Sequence, residues 1–434
     1  MILSLYAAIM RLFHTFVPTL LWQRAARGKE DPQRLNERLG VTTTARPDGS
    51  LIWFHGVSVG ESVSALPVIN QLLNDHPGLR ILITTATTTS AEILSKRLPE
   101  GVIHQYAPVD TPQAVEAFLN HWRPDLAVYI ESDIWPNQLI ALDKRGTPRL
   151  LISARITERT YKGWQAIKGP MSRLLKGFKL VLPQDHESEA RLKNMGVTVG
   201  PIGNLKTIGD ALPDDIAARE TLEAQIKGRT VILAASTHPT EENYIASALE
   251  GTLRETGALL IVVPRHPVRA ESIRLDLEAL GFKIAQRSKE RGPGLDSLTE
   301  ATHIYLADTL GELGVFFRLA DMVIMAGSFS EKIGGHNPLE AARLGKAVIT
   351  GRDLYNWDSV YAPMFDAGAA FKATDRETLT FYVQSVLATP GAMLDANRSA
   401  LALAQREAGT LSLVMAHLAP FIPEGQNPGA IDAA

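Results

Sequence analysis

Cysteine is absent from the 434 residues, which excludes disulfides, thiolate metal sites and thiol nucleophiles together. Chemistry must come from hydroxyls, carboxylates, imidazoles, amines and backbone amides. Neither sign of charge dominates: 44 Lys and Arg stand against 47 Asp and Glu, a formal net charge of -3, so no nucleic-acid partner is expected. Eleven histidines are present, but none falls in an HxH, HExxH or carboxylate-flanked triplet, and no metal site is expected. A Walker loop is missing, as is GxGxxG after the first strand-like run, which disfavours kinase, ATPase and dinucleotide chemistry. The basic n-region and small-residue cleavage site of a secretory signal are also lacking. No internal repeat is visible, and only Pro423–Pro428 is loose in composition. What remains is globular: 45% hydrophobic and 21% charged residues, in a chain long enough for two or three domains.

Residues 1–40 stand apart. Ile2, Leu5, Tyr6, Ile9, Phe13, Phe16, Val17 and Leu20 recur at helical spacing, and Arg11 and His14 interrupt them. An arginine inside a spanning helix costs about 2.5–3.5 kcal/mol, so clean spanning is disfavoured. Arg24, Arg27, Lys29, Arg34 and Arg38 follow, where an anionic cytoplasmic leaflet would attract them. The segment is expected to be an uncleaved membrane-surface anchor, the competing reading being a helix docked on its own domain.

From residue 51, short apolar runs alternate with amphipathic stretches. Leu51–His55, Arg80–Thr85, Val102–Ala107, Asp125–Ile130, Arg149–Ile152 and Leu180–Leu182 form one strand series. Thr230–Ala235, Ala258–Val263, His303–Ala307, Met322–Ala326 and Ala347–Thr350 form a second. This pattern predicts an α/β chain of two doubly wound, Rossmann-like domains facing a central cleft. The expected boundaries are 41–208 and 229–374, with a polar linker at 209–228 and helices at 375–420 packing across both domains.

Ligands of such sheets bind beyond the carboxyl ends of strands, and several motifs fall there. Gly334-Gly335-His336-Asn337-Pro338-Leu339-Glu340 offers close backbone approach and a helix start suited to a phosphate, with Glu340 placed to accept from sugar hydroxyls. Its competing reading is a glycine turn that only connects core elements. His55-Gly56-Val57-Ser58-Val59-Gly60-Glu61 sets Glu61 at a helix start, either as a general base or as a capping carboxylate. The same run matches Gly-x-Ser-x-Gly, but a hydrolase needs a later acid and histidine in a single sheet. Glu131 and Asp133 end another strand, Glu131 being the functional candidate and Asp133 the cap. Lys206 closes the first half. In the second half Ser236-Thr237-His238-Pro239, Arg265-His266 and Asp308–Glu312 end strands, Arg265 as a phosphate partner and His266 as a partner for a nucleotide edge.

HGVSVGE at 55–61, ESDIWPN at 131–137, SAR at 153–155, GNLK at 203–206, STHP at 236–239, PRHP at 264–267, DTLGEL at 308–313 and GGHNPLE at 334–340 resemble, in order and spacing, the 3-deoxy-D-manno-octulosonic acid (Kdo) transferases of lipopolysaccharide assembly. The resemblance runs from residue 1 to about residue 420. It implies a GT-B glycosyltransferase that moves Kdo from CMP-Kdo to the lipid A precursor, lipid IVA, on the cytoplasmic side of the inner membrane, without metal or cofactor and with inversion. It implies Glu61 as general base, Glu131 and Lys206 as transition-state stabilisers, and Arg265, His266, Leu310, Gly311, Glu312, Asn337, Pro338, Leu339 and Glu340 as CMP-binding positions. Two departures stand out: ESDIWPN replaces the frequent ETELWPN, and Leu205-Lys206-Thr207-Ile208 replaces LKFD, so no role of the usual aromatic and acid is carried over. The alternatives are another GT-B enzyme using a UDP-sugar, and an inactive GT-B-like lipid-binding protein.

Overall fold

A computed structural model describes residues 2–131, 134–289, 298–389 and 391–423. The chain divides into two compact units, one holding residues up to Ile208 together with those from Gly409 on, the other Gly209–Ala408.

The first unit contains strands β1 (Leu51–His55), β2 (Arg80–Thr85), β3 (Ile103–Tyr106), β4 (Leu126–Ile130), β5 (Arg149–Ala154) and β6 (Leu180–Pro183). They form one parallel sheet in the order β3-β2-β1-β4-β5-β6. Every residue of β1 and β4 is buried because helices cover both faces, so these strands read as unbroken apolar runs rather than as alternation. The buried Trp53 indole is satisfied by Thr84 Oγ1 at 2.8 Å. The order reverses between β1 and β4. Loops on either side of such a switch point splay apart and leave a crevice at the carboxyl edge.

The second unit contains β7 (Val231–Thr237), β8 (Leu259–Pro264), β9 (Ile284–Gln286), β10 (Ile304–Leu306), β11 (Met322–Met325), β12 (Val348–Thr350) and β13 (Ala370–Lys372). All are parallel, in the order β13-β12-β11-β7-β8-β10-β9, which reverses between β7 and β11. The sequence reading lacked β9 and β13. Both are three-residue edge strands, too short to show periodicity and fixed by pairing with a single neighbour.

Segment 209–228, expected to be a linker, carries the helix Ile216–Ile226, whose Leu222 and Ile226 enter the second unit's core. Asp215 caps it by accepting the Ala218 N–H at 3.0 Å. Its polarity had hidden an amphipathic helix with a narrow buried stripe. Toward the C-terminus, helices Arg376–Ala388 and Leu394–Ala408 belong to the second unit, while Thr410–Leu418 packs Val414 and Leu418 into the first.

At the N-terminus, helices Ile2–Phe13 and Val17–Ala25 run on through a 3-10 turn at His14–Phe16. By length and composition the stretch Ile2–Ala25 is able to cross a membrane. In the structure one of its faces is docked. Tyr6 Oη donates to Asp110 at 3.0 Å, His14 contacts Thr111 at 2.8 Å, Gln113 donates to the Arg11 carbonyl at 2.9 Å, and Val17, Leu21 and Ala25 pack with Leu35. The other face leaves Ile2, Leu5, Ile9, Leu12, Phe13, Phe16, Leu20 and Trp22 exposed. Docking on its own unit, the second of the two readings, thus describes one face of the segment.

Candidate active site

In the first unit the loops after β1 and β4 flank the switch point, and they carry Glu61 and Glu131. Ser58 caps the helix Val59–Ser64, and Glu61 completes a capping box: its carboxylate accepts the Val57 N–H at 2.6 Å and the Ser58 hydroxyl at 2.9 Å. Ser58 is thereby committed to the cap, which removes the hydrolase-elbow reading. Glu131 has the left-handed backbone (φ 60°) and forms an ion pair with Lys206 Nζ at 2.7 Å. Lys206 lies on the turn Leu205–Thr207, which rests against the helix Val59–Ser64. Glu61, Glu131 and Lys206, separated by up to 145 positions in sequence, thus belong to neighbouring segments of one sheet edge. Ser132 and Asp133 lie outside the described residues.

In the second unit the loops after β7 and β11 flank the switch point. His238 and His336 meet there, Nε2 to Nε2 at 2.9 Å, with His266 edge-on to His238 at 6.0 Å. Burial, with help from His238 and Arg265, pushes His336 down to about 4; burial also lowers His238. Two neutral imidazoles can share one N–H, whereas two charged ones would repel. Arg265 is exposed and makes no side-chain hydrogen bond or ion pair among the described residues, while its charge acts on His238, His336 and Glu340. Burial raises the Glu340 carboxyl, and Arg343 and Arg265 oppose that rise. A free guanidinium over neutral imidazoles and a buried acid suits a single phosphate.

A family model described as "3-Deoxy-D-manno-octulosonic-acid transferase (kdotransferase)" matches residues 33–208. The 3-deoxy-D-manno-octulosonic acid transferase of Rickettsia bellii is 31% identical over 370 residues, 85% of this chain and 87% of the relative. The chain belongs to the Kdo transferase family. The Bordetella pertussis member is 31% identical over 424 residues, 93% of this chain and 94% of its own. A glycosyltransferase structure from Rickettsia africae aligns with TM-score 0.57 at 14% identity, over 87% of this chain and all of that one, which shows a shared GT-B fold. This Kdo transferase is accordingly a glycosyltransferase of lipopolysaccharide biosynthesis.

Other expected site positions have partners within the fold. The helix after the GGHNP turn is one turn long, Leu339–Ala342, so its dipole is weak, and Pro338 stands at the N-cap. The Leu339 N–H is taken by Asn337 Oδ1 at 3.0 Å, and the Leu339 side chain fills the core. Gly334 and Gly335 are both left-handed (φ 83° and 80°), and the loop around them is close: a Cβ at Gly334 would meet Asn356 at 2.5 Å and one at Gly335 would press on Leu354 at 3.0 Å. Glu312 pairs with Arg287 and accepts from Thr309, while Leu310 is exposed and Gly311 is left-handed. The basic run is largely spent inside the fold, since Arg24 and Arg38 pair with buried Glu30 and Arg34 with Glu37. Sequence reasoning missed Glu241, a buried carboxylate that accepts N–H groups from His238, Gly327, Phe329 and Ser330 at 2.7–3.3 Å and ties the two switch-point loops together. The acidic pair Glu241-Glu242 opening a helix was its only signal.

Proposed function

We propose that this Kdo transferase moves Kdo from CMP-Kdo to lipid IVA with inversion and without a metal. An acceptor hydroxyl attacks the anomeric carbon, its proton passes to Glu61, the bond from that carbon to the CMP phosphate oxygen breaks, and CMP leaves. The capping box supports the first role: Glu61 accepts from two backbone N–H groups and a hydroxyl, yet a carboxylate has about four acceptor sites, so room is left for an acceptor hydroxyl. The Glu131–Lys206 pair presents opposite charges beside it, suited to the charge that develops between donor sugar and acceptor. In the donor half Arg265 meets the phosphate, His266 the nucleotide edge, and Glu340 sugar hydroxyls, with Leu310, Gly311, Glu312, Asn337, Pro338 and Leu339 shaping the loops around CMP. One phosphate is within the reach of one arginine, which is why no metal is invoked.

The N-terminal helix serves the lipid acceptor. With one face docked on its own unit and the other apolar and free of charge, it lies in the plane of the cytoplasmic face of the inner membrane rather than crossing it. The observation that carries the whole reading is the Glu131–Lys206 ion pair on a turn packed against the helix that holds Glu61, around the switch point of one sheet in a family member. Its test is incubation of purified protein with CMP-Kdo, made in place, and lipid IVA under a chelator, followed by mass analysis of the lipid. Addition of Kdo by the parent and none by Glu61→Gln is the expected result. Kdo transfer by Glu61→Gln at the parental rate would remove it from the base role, and transfer supported by a UDP-sugar instead would overturn the donor.

A further inference from the structure

The helix Pro136–Arg145 begins without a cap of its own, because its N-cap residue is Trp135, whose side chain accepts nothing. Its first-turn amides would be left unsatisfied. They are satisfied from a distant loop: Asp110 accepts the Asn137 N–H on Oδ2 at 3.1 Å and the Gln138 N–H on Oδ1 at 3.0 Å, while the Asp110 carbonyl accepts Asn137 Nδ2 at 2.6 Å. The remaining partner of Asp110 Oδ2 is the hydroxyl of Tyr6 at 3.0 Å, from the N-terminal helix. Asp110, Asn137 and Gln138 are all buried, so this is a fixed joint rather than a surface contact.

Gln138 carries the joint to the end of β4, its Oε1 accepting the Tyr129 hydroxyl at 3.1 Å, two residues before Glu131. There the Glu131 N–H is held by the Ile152 carbonyl at 3.2 Å, and Glu131 is set in a left-handed conformation that only its surroundings can maintain.

We propose that Asp110 is a positioning residue that sets Glu131 through the N-terminus of the helix Pro136–Arg145, and that Tyr6 makes the N-terminal helix part of this scaffold. The proposal rests on the reading of Glu131 as a transition-state stabiliser. It gives the N-terminal helix a second duty, independent of lipid: turnover of a soluble acceptor also depends on it.

The test measures turnover of a short-chain acceptor dispersed in detergent, where membrane binding plays no part, for Asp110→Asn, Tyr6→Phe, Glu131→Gln and the pairs that combine each of the first two with Glu131→Gln. A misplacement of about 1 Å can cost roughly a hundredfold in rate, so a drop of about ten- to a hundredfold in kcat is expected for Asp110→Asn and a smaller one for Tyr6→Phe, with donor KM and CMP affinity unchanged. Each pair should be no slower than Glu131→Gln alone, because an effect exerted through Glu131 disappears once Glu131 is neutralised. Parental kcat in both single variants would overturn the proposal, as would losses that multiply in the pairs. Should Asp110→Asn fail to fold, Tyr6→Phe, which removes one hydroxyl from a half-buried ring, decides by itself. A Glu131→Gln variant as fast as the parent would instead sink the reading of Glu131, an outcome separate from the others.

Discussion

Replacing Glu131 by glutamine separates a structural ion pair from a catalytic one. The Glu131 and Lys206 side chains are 8% and 13% exposed and their charges approach to 2.7 Å. At an effective dielectric of about 20, Coulomb attraction at that distance is roughly 6 kcal/mol, much of it offset by the cost of desolvating both ions. Glu131→Gln keeps that cost for Lys206 while removing its partner, so a loss of about 3 kcal/mol is expected, which is about 6–12 °C in the melting temperature of a unit this size. Lys206→Met should cost a similar amount. The informative protein carries Glu131→Gln and Lys206→Met together. With no charge left to strand, it should recover to within about 1 kcal/mol of the parent, since an uncharged pair of similar volume commonly matches a buried ion pair. Thermal melts would read stability and mass analysis of the lipid product would read transfer. If the pair acts in the reaction, the double variant melts like the parent and stays inactive. A double variant that melts and turns over like the parent would refute the catalytic role, and an unchanged melt for Glu131→Gln alone would refute the buried pair.

Arg265→Ala should weaken CMP binding by about tenfold or more, the value of one charge-assisted hydrogen bond, and calorimetry showing unchanged affinity would move the phosphate elsewhere. Leu12→Asp with Phe16→Asp should abolish flotation with anionic vesicles while leaving the melting temperature as it was, because both side chains are exposed and touch no core; flotation at the parental level would assign that face to something other than lipid. Stability should fall from pH 7 to pH 5. Burial pushes His55 down to about 3 and His104 and His336 to about 4, so the unfolded chain takes up their protons first, and their contribution, complete above about 6.5, is lost as pH falls toward 4. Asp110, pushed up to about 6 by burial, works in the opposite direction, as do Glu241 and Glu340, so the fall is smaller than the histidines alone would give; a denaturation midpoint that rises over this interval would contradict it.

Legibility in the sequence followed the range of the interaction. Strands buried on both faces announce themselves as apolar runs, so eleven of the thirteen described strands could be placed within a residue or two. Edge strands β9 and β13 could not, because pairing rather than composition creates them. Motifs at strand ends were legible as positions, but not what each side chain touches. Glu61 caps its own helix, Glu312 is held by Arg287, and the two glycines at 334 and 335 accommodate a neighbouring loop. Partners far apart in sequence, Tyr6 with Asp110 or His238 with His336, left no trace that a single chain could show.

Both sheets carry strain at the end of a strand. Register shifts between Leu151 and Ala154 where β5 pairs with β6, and between Ala235 and Thr237 where β7 pairs with β8, and inside each shift lies a left-handed serine, Ser153 (φ 53°) and Ser236 (φ 59°). A non-glycine residue in that conformation costs about 1–3 kcal/mol, so something must be gained by it. In the first sheet the gain is visible: Ser153 Oγ accepts the Leu205 N–H at 3.2 Å, which opens the turn that delivers Lys206 to Glu131. In the second, the Ser236 backbone hydrogen-bonds His336. A bulge that re-aims a strand end thus fixes one residue of each candidate half-site. Ser153→Gly and Ser153→Ala should then diverge. Glycine relieves the backbone while losing the hydroxyl, so the protein should be as stable as the parent or nearly so; alanine keeps the strain, loses the same bond and should cost about 1–2 kcal/mol. Transfer should fall in both, because both release Lys206. Parental turnover in the glycine variant would mean that the Leu205–Thr207 turn holds its position unaided and that the strained serine has some other cause.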